Sequence, residues 1–291
     1  MLDQEKLKKF IKEALNEDIG SIDLTTIHLI SSQAKVKVDI TAKTGGMLCG
    51  LPLVECLYNL LDKAVRIKLN AKEGRTVEAG KVVCYIEGQA TAILKGERVA
   101  LNLLNRASGI ATITKAFVDK VKPYNVEIFD TRKTTPNMRF IEKYAVRIGG
   151  GKNHRMGLYD QVLIKDNHLA IIRNLKHTKD AVIEDIIRTA KKRVQKNVKI
   201  EIEVSNIAEF EEALAATPDI ILLDNLAPTK IREAVKIREA AGSKGRRVIL
   251  EASGNMRLEN VEEFAKTGID RISVGFITQS PSPFDFSLEV M

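Results

Sequence analysis

Six short apolar runs recur from Val126 onward, and each gives way at once to polar residues. They are Val126–Phe129, Gln161–Ile164, Ile200–Ile202, Ile220–Leu223, Arg247–Leu250 and Arg271–Val274. Runs this short and this continuously apolar are how strands buried on both faces read, and the helical stretches between them make the strands parallel. A seventh run, Tyr144–Ile148, fits the same pattern less well. The polar residues that follow are Asp130-Thr131-Arg132-Lys133, Lys165-Asp166-Asn167-His168, Glu203-Val204-Ser205, Asp224-Asn225, Glu251-Ala252-Ser253-Gly254 and Gly275. In an α/β barrel all strand C-termini open on one face, so these scattered residues are expected to line a single mouth. Asp130 and Asn225 have an alternative reading as helix caps.

The first half reads differently. Leu7, Phe10, Ile11 and Leu15 recur at helical spacing, Lys35–Ile40 alternates as a half-buried strand does, and residues 51–61 form a short apolar segment. The stretch Glu73–Val83, with Gly74 and Gly80 at its turns, resembles the hammerhead of biotinyl and lipoyl carriers. It lacks a lysine at a plausible modified tip, so it reads as a hairpin. Apolar residues at helical spacing from Glu97 to about Val121 predict a long helix. With about 150 residues per domain, 291 residues predict two units, or one large barrel with an appendage. The expected division is an N-terminal α/β sandwich over 1–112, joined by the tail 276–291, and an incomplete α/β barrel over 113–275.

Composition excludes several classes. A chain with 44% hydrophobic and 29% charged residues is neither disordered nor collagen-like. No apolar run reaches the roughly 18 to 20 residues of a membrane span, and the opening MLDQEKLKKF has no secretory core, so no membrane association is expected and the cytoplasm is the expected location. The 3 cysteines and 4 histidines show no metal-ligand spacing. The net charge of +8 fits either a nucleic-acid surface or a pocket for an anion. Residues 130–168 hold eight Lys or Arg against four acids, together with His154 and His168, which concentrates cationic charge at strand ends. Guanidinium forks and ammonium points there suit a substrate carrying several negative charges. Lys143 and Lys152 read as surface lysines. With 5% aromatic residues and no Trp, stacking platforms for bases are scarce, so no nucleic-acid partner is expected. Glu203 and Asp224 suit sugar hydroxyls or a Mg2+ carried by phosphates, or else structural ion pairs. Ser253, Gly254, Asn255 and Gly275 offer backbone N–H groups to a phosphate. A phosphorylated sugar reacting with a small polyanion fits this arrangement.

The spaced motifs Asp130–Pro136, Glu142–Val146, Gly149–Arg155 and Leu163–His168 closely resemble those of the quinolinate phosphoribosyltransferase family. So do Glu17–Gly20, Asp23–Thr26, Gly96–Asn102, Leu223–Asn225 and Glu251–Gly254, and the likeness covers essentially the whole chain. The resemblance implies an N-terminal α/β sandwich packed on an incomplete barrel. It also implies a homodimer or higher homo-oligomer whose active sites are shared between subunits. The implied reaction joins quinolinate to phosphoribosyl pyrophosphate, giving nicotinate mononucleotide, pyrophosphate and CO2 with Mg2+, in NAD synthesis. By matching position, Arg132, His154 and Arg155 grip the two carboxylates, joined by Arg98 of the neighbouring subunit, with Thr134 also at the substrate. Lys133 and Lys165 contact the phosphoribosyl donor or the reacting region. Glu203 and Asp224 hold its ribose and stand near the metal, for which no direct ligand is assigned, and Ser253, Gly254, Asn255 and Gly275 take the 5′-phosphate. The resemblance departs at Asn137 and Asn255, where the family commonly has Gly; Asn tolerates positive φ better than most residues. Two rivals stand beside this reading: a relative using the same scaffold on another acid, and an RNA-binding protein.

Overall fold

The computed structural model describes residues 2–175, 183–245, 247–281 and 283–291. It divides into two compact units, Met1–Lys115 with Thr134–Gly150 and Ser280–Met291, and Ala116–Lys133 with Gly151–Gln279. Among the described residues, twelve strands run through them in chain order. They are β1 (Lys35–Ala42), β2 (Gly46–Met47), β3 (Arg66–Leu69), β4 (Thr76–Val77), β5 (Val82–Gln89), β6 (Glu127–Phe129), β7 (Val162–Ile164), β8 (Ile200–Val204), β9 (Ile220–Asp224), β10 (Ile249–Ser253), β11 (Arg271–Ser273) and β12 (Phe286–Val290).

In the first unit the antiparallel sheet β12-β1-β5-β3 carries helices against it. The alternation in β1 works as period two requires: Val38, Ile40 and Ala42 are buried while Lys35 and Lys37 face water. Helix Gln4–Ile19 starts where the Asp3 carboxylate accepts hydrogen bonds from the Glu5 and Lys6 amides. It buries Leu7, Ile11 and Leu15 at four-residue spacing and stops at Gly20. Strand β12, at the chain's end, pairs with β1 in the register Ile40 to Leu288. The segment Glu73–Val83 is not a simple hairpin: β4 pairs with β2, while β5 pairs with β1 and β3.

Other expectations change here. Tyr144–Ile148 is not a strand but the end of helix Arg139–Ile148. That helix buries Phe140, Ile141, Ala145 and Val146, a helical recurrence that the alternation of Tyr144, Val146 and Ile148 disguises. Lys143 on it is buried, not a surface residue, whereas Lys152 is exposed and pairs with Glu127. Residues 134–150, expected in the barrel, cluster with the first unit, and the division falls at Lys115/Ala116 rather than near 112. Helix Ala90–Val121 is one continuous element, so its apolar spacing carries no mark at that division.

The second unit is an all-parallel sheet in the order β6-β11-β10-β9-β8-β7. Ile220 to Leu223 are all buried, as strands covered on both faces require. The sheet curls on itself. In a flat sheet β11 and β8, three spacings apart, would stand about 14 Å from each other. Yet Arg271 Nη2 lies 3.8 Å from Glu201 Oε1. The edge strands β6 and β7 are not paired to each other; Lys152 bridges to Phe129 beside β6. The result is an incomplete α/β barrel whose strands deliver their C-terminal ends to one mouth.

Candidate active site at the strand C-termini

A cavity of about 630 Å³ occupies that mouth. Of the residues expected there, Arg132, Lys133, His154, Arg155, Lys165, Glu203, Asp224, Ser253, Gly254, Asn255 and Gly275 line it. Thr134 is not among the lining residues; its hydroxyl accepts a 2.8 Å hydrogen bond from Arg139 Nε. Arg98 lies in the first unit, exposed on helix Ala90–Val121.

Asp130 is not a helix cap. It is fully buried, and its carboxylate accepts hydrogen bonds from His154 N at 2.8 Å and Asn153 Nδ2 at 2.7 Å. This fixes the segment 153–155 beside the end of β6 and aims Arg155 inward. The Arg155 guanidinium is buried, donates to the Gln161 carbonyl at 3.1 Å, and is held below its ordinary pKa by burial and by the neighbouring Arg132. Two crowded guanidinium groups at one end of a cavity form a receptor for a molecule with more than one carboxylate. Lys133, on the same loop, is held by its carbonyl, which accepts from Thr278 Oγ1 at 2.7 Å.

Across the cavity, Lys165 Nζ lies 2.8 Å from Glu203 Oε2, and Asp224 Oδ2 accepts from Asn225 Nδ2 at 2.7 Å. Next to them Gly254 takes φ +106°, and a Cβ there would stand 2.2 Å from Asn225 Oδ1. Asn225 is therefore not a cap but the wall against which the Ser253-Gly254-Asn255 turn closes. Asn255 and Asn137, where the resemblance departs from Gly, adopt φ 46° and φ 62°, so both turns keep the left-handed backbone that Gly would supply. A Cβ on Gly275 would come within 3.0 Å of Lys133 Cδ, which leaves room only for hydrogen beside that lysine.

Beneath the mouth lies a charged layer in which His154 and Glu251, both among the sequence expectations, meet Glu201 and Arg271, which are not. Glu201, Glu251 and Arg271 are buried inside their strands. His154 Nε2 is 3.0 Å from Glu201 Oε2 and 3.7 Å from Glu251 Oε1, Arg271 Nε pairs with Glu251, and Gln161 Nε2 donates to Glu201. Arg271 also stacks 4.6 Å over the Phe129 ring. Burial alone would lower the His154 pKa, but the hydrogen bond to Glu201 and the charges of both carboxylates raise it. Burial, then the charge of Glu201, pushes Glu251 up to about 7. His154 Nδ1 accepts from the Arg155 amide at 2.8 Å. Both ring nitrogens are thus engaged within the protein, while His154 also lines the cavity. A signal for this layer is in the sequence: Glu201 lies two residues before Glu203, Glu251 before Ser253 and Arg271 before Ser273. Period two puts each pair on the same face of its strand.

Residues 23–108 match the quinolinate phosphoribosyl transferase N-terminal domain, and residues 110–289 match its C-terminal domain. A Bacillus subtilis protein named probable nicotinate-nucleotide pyrophosphorylase [carboxylating] is 39% identical over 98% of this chain and 93% of its own length. A tobacco quinolinate phosphoribosyltransferase [decarboxylating] is 35% identical over 98% of this chain and 82% of its own. The solved nicotinate-nucleotide pyrophosphorylase of Francisella tularensis superposes with a TM-score of 0.90 at 34% identity, covering 100% of this chain and 98% of that one. Since both domain profiles and full-length relatives align along one continuous polypeptide, the chain belongs to the quinolinate phosphoribosyl transferase family.

Proposed function

We propose that the cavity transfers the phosphoribosyl group of phosphoribosyl pyrophosphate to quinolinate with loss of CO2, giving nicotinate mononucleotide and pyrophosphate for NAD synthesis. One observation carries the reading: a crowded Arg132/Arg155 pair faces Glu203, Asp224 and the Ser253-Gly254-Asn255 turn across a single cavity. The two arginines take the pyridine dicarboxylate. The turn's backbone, with Gly275, takes the 5′-phosphate, and Glu203 and Asp224 accept hydrogen bonds from ribose hydroxyls. Lys133 and Lys165 meet the diphosphate and the reacting region.

As pyrophosphate departs, positive charge develops on the ribose carbon, and the pyridine nitrogen must already be aimed at it. Positioning by Arg132 and Arg155 and the negative charge of Glu203 and Asp224 lower that barrier without a protein nucleophile. Mg2+ fits the oxygen donors on this side of the cavity and, when bound with the donor, neutralises its diphosphate. No side chain is assigned as its direct ligand. The other cluster of ligating atoms, His154 with Glu201 and Glu251, already has the Arg271 cation beside it and suits Mg2+ poorly. Arg98 fits a role in completing the site from a second copy, in a homodimer or larger assembly. The cytoplasm is the compartment this metabolism implies, and among the described residues no helix is long and apolar enough to cross a membrane.

The reading is tested by incubating the protein with Mg2+ and phosphoribosyl pyrophosphate plus either quinolinate or nicotinate. Mononucleotide and CO2 are expected from quinolinate alone. Turnover of nicotinate in preference to quinolinate would favour a relative acting on another acid.

A further inference from the structure

Loss of CO2 leaves an electron pair on a ring carbon, and that carbon must receive a proton. The mouth of the cavity carries Lys133 and Lys165, whose ammonium protons are committed to the diphosphate and to Glu203 in the reading above, whereas the layer beneath it holds two buried carboxylates. Glu251 lines the cavity and is fully buried. Its surroundings are Glu201 from β8, Arg271 and Ser273 from β11, and His154 from the segment after β6. Arg155 adds a charge that reaches Glu201. His154 also lines a second cavity of about 540 Å³, with Glu127, Lys199 and Asp270, at the opposite ends of the strands.

The charges of this layer count out simply. His154 Nδ1 accepts the Arg155 amide, so the ring's proton sits on Nε2, directed at Glu201, and the ring is neutral. Arg271 balances one carboxylate. Two ionised carboxylates completely removed from water would share the Arg271 cation, with the charge of Arg155 reaching Glu201, and a buried carboxylate so poorly compensated takes up a proton instead. Glu251 Oε1 stands 3.7 Å from His154 Nε2, beyond hydrogen-bonding distance, and the Arg271 guanidinium in contact with its other oxygen is shared with Glu201, which has the Nε2 proton as well.

Resting on the reaction given above, we propose that Glu251 is the acid that protonates the ring carbon vacated by CO2. The bond between that carbon and its carboxylate breaks, CO2 leaves, and the electron pair remains on the carbon beside the ribosylated nitrogen. The Glu251 O–H proton moves to that carbon, leaving Glu251 as a carboxylate. Solvent reprotonates it after product release. The negative charge of the lost carboxylate is thereby handed to Glu251, and recapture of CO2 by the carbanion is cut off.

The test follows pyrophosphate and labelled CO2 separately in single turnovers of the full-length protein with Mg2+, phosphoribosyl pyrophosphate and quinolinate. In the wild type the rate of CO2 release relative to pyrophosphate release should fall by about tenfold per pH unit above roughly 7, as the acid form is lost. Glu251→Gln copies the shape of the neutral acid, so it should melt near the wild type. It should release pyrophosphate, slow CO2 release by on the order of 10²-fold, lose the pH dependence, and accumulate the carboxylated mononucleotide. A folded Glu251→Gln variant with the wild-type ratio of CO2 to pyrophosphate would overturn the proposal. Should that variant not fold, a wild-type ratio that stays constant across pH would overturn it equally. No pyrophosphate from wild-type protein would instead refute the underlying enzymatic reading.

Discussion

Gly254→Ala places a methyl group where the structure has none to spare. The new Cβ would stand 2.2 Å from Asn225 Oδ1, 2.7 Å from Asn225 Cγ and 2.9 Å from Asn225 N, at a residue with φ +106°. The amide oxygen can rotate away, but the Asn225 backbone cannot, because its N–H is bonded to the Ser253 carbonyl at 2.9 Å and its own φ is 54°. The left-handed backbone costs about 1–2 kcal/mol for a residue with a side chain, and displacing a packed neighbour adds about 1–3 kcal/mol. A total of roughly 2–5 kcal/mol corresponds to a fall of about 5–15 °C in melting temperature for a unit of this size. Gly80→Ala is the control: it has φ +84° and nothing within 4 Å, so only the backbone cost applies. Thermal melts followed by circular dichroism, with the KM for phosphoribosyl pyrophosphate, read both effects. Gly254→Ala should melt several degrees below Gly80→Ala and raise that KM, while Gly80→Ala leaves it alone. Equal melting of the two variants, or an unchanged KM, would refute the account of this turn as a closely packed phosphate cradle.

Three further outcomes are expected. Arg132→Ala should lower kcat/KM for quinolinate by about 10²–10³-fold, since hydrogen bonds to charged groups contribute roughly 1.5–3 kcal/mol each. Its melting temperature should hardly move; equal loss of folding would count against a ligand role. Mixing an Arg98→Ala chain with a Lys165→Ala chain should restore part of the activity if sites are shared between subunits, and no recovery after subunit exchange would remove Arg98 from the site. Stability should decline above about pH 9. Burial raises the Cys84 thiol from 9.0 to about 12 and raises Cys49, Tyr58 and Tyr144 as well. A folded pKa above the unfolded one gives stability that is complete below pH 9 and lost as pH climbs toward the folded value. Denaturant melts at pH 8 and pH 11 would show it, and equal midpoints would contradict it.

The barrel was legible because its strands are short and buried on both faces: Ile220-Ile221-Leu222-Leu223 permits little else between helical stretches. The mouth followed from the rule that parallel strands open at their C-terminal ends, which is why Arg132, Lys165, Glu203 and Ser253 could be grouped before any coordinate was known. The charged floor is not legible as a unit because Glu201 and Arg271 sit inside runs read as apolar, Glu251 reads as one more strand-end residue, and a pairing across three strands depends on curl, not on local pattern. Lys143 was misread for a related reason. A lysine flanked by polar residues looks solvated, and its burial is decided by tertiary packing of helix Arg139–Ile148. Residues 73–83 have the local form of a hairpin, but β4 finds its partner at Gly46–Met47, thirty residues upstream, which turn chemistry alone does not reveal. Asn137 and Asn255 show the opposite case, where intrinsic tolerance of positive φ predicted that the turns survive the loss of Gly.

The most direct check on the dicarboxylate receptor is equilibrium binding of quinolinate and of nicotinate, by calorimetry, to wild-type protein and to Arg132→Ala. The second carboxylate should make quinolinate bind at least about tenfold more tightly than nicotinate, an advantage of roughly 1.4 kcal/mol or more, and Arg132→Ala should erase it. Equal affinity for the two acids, or a preference that survives in Arg132→Ala, would contradict the assignment.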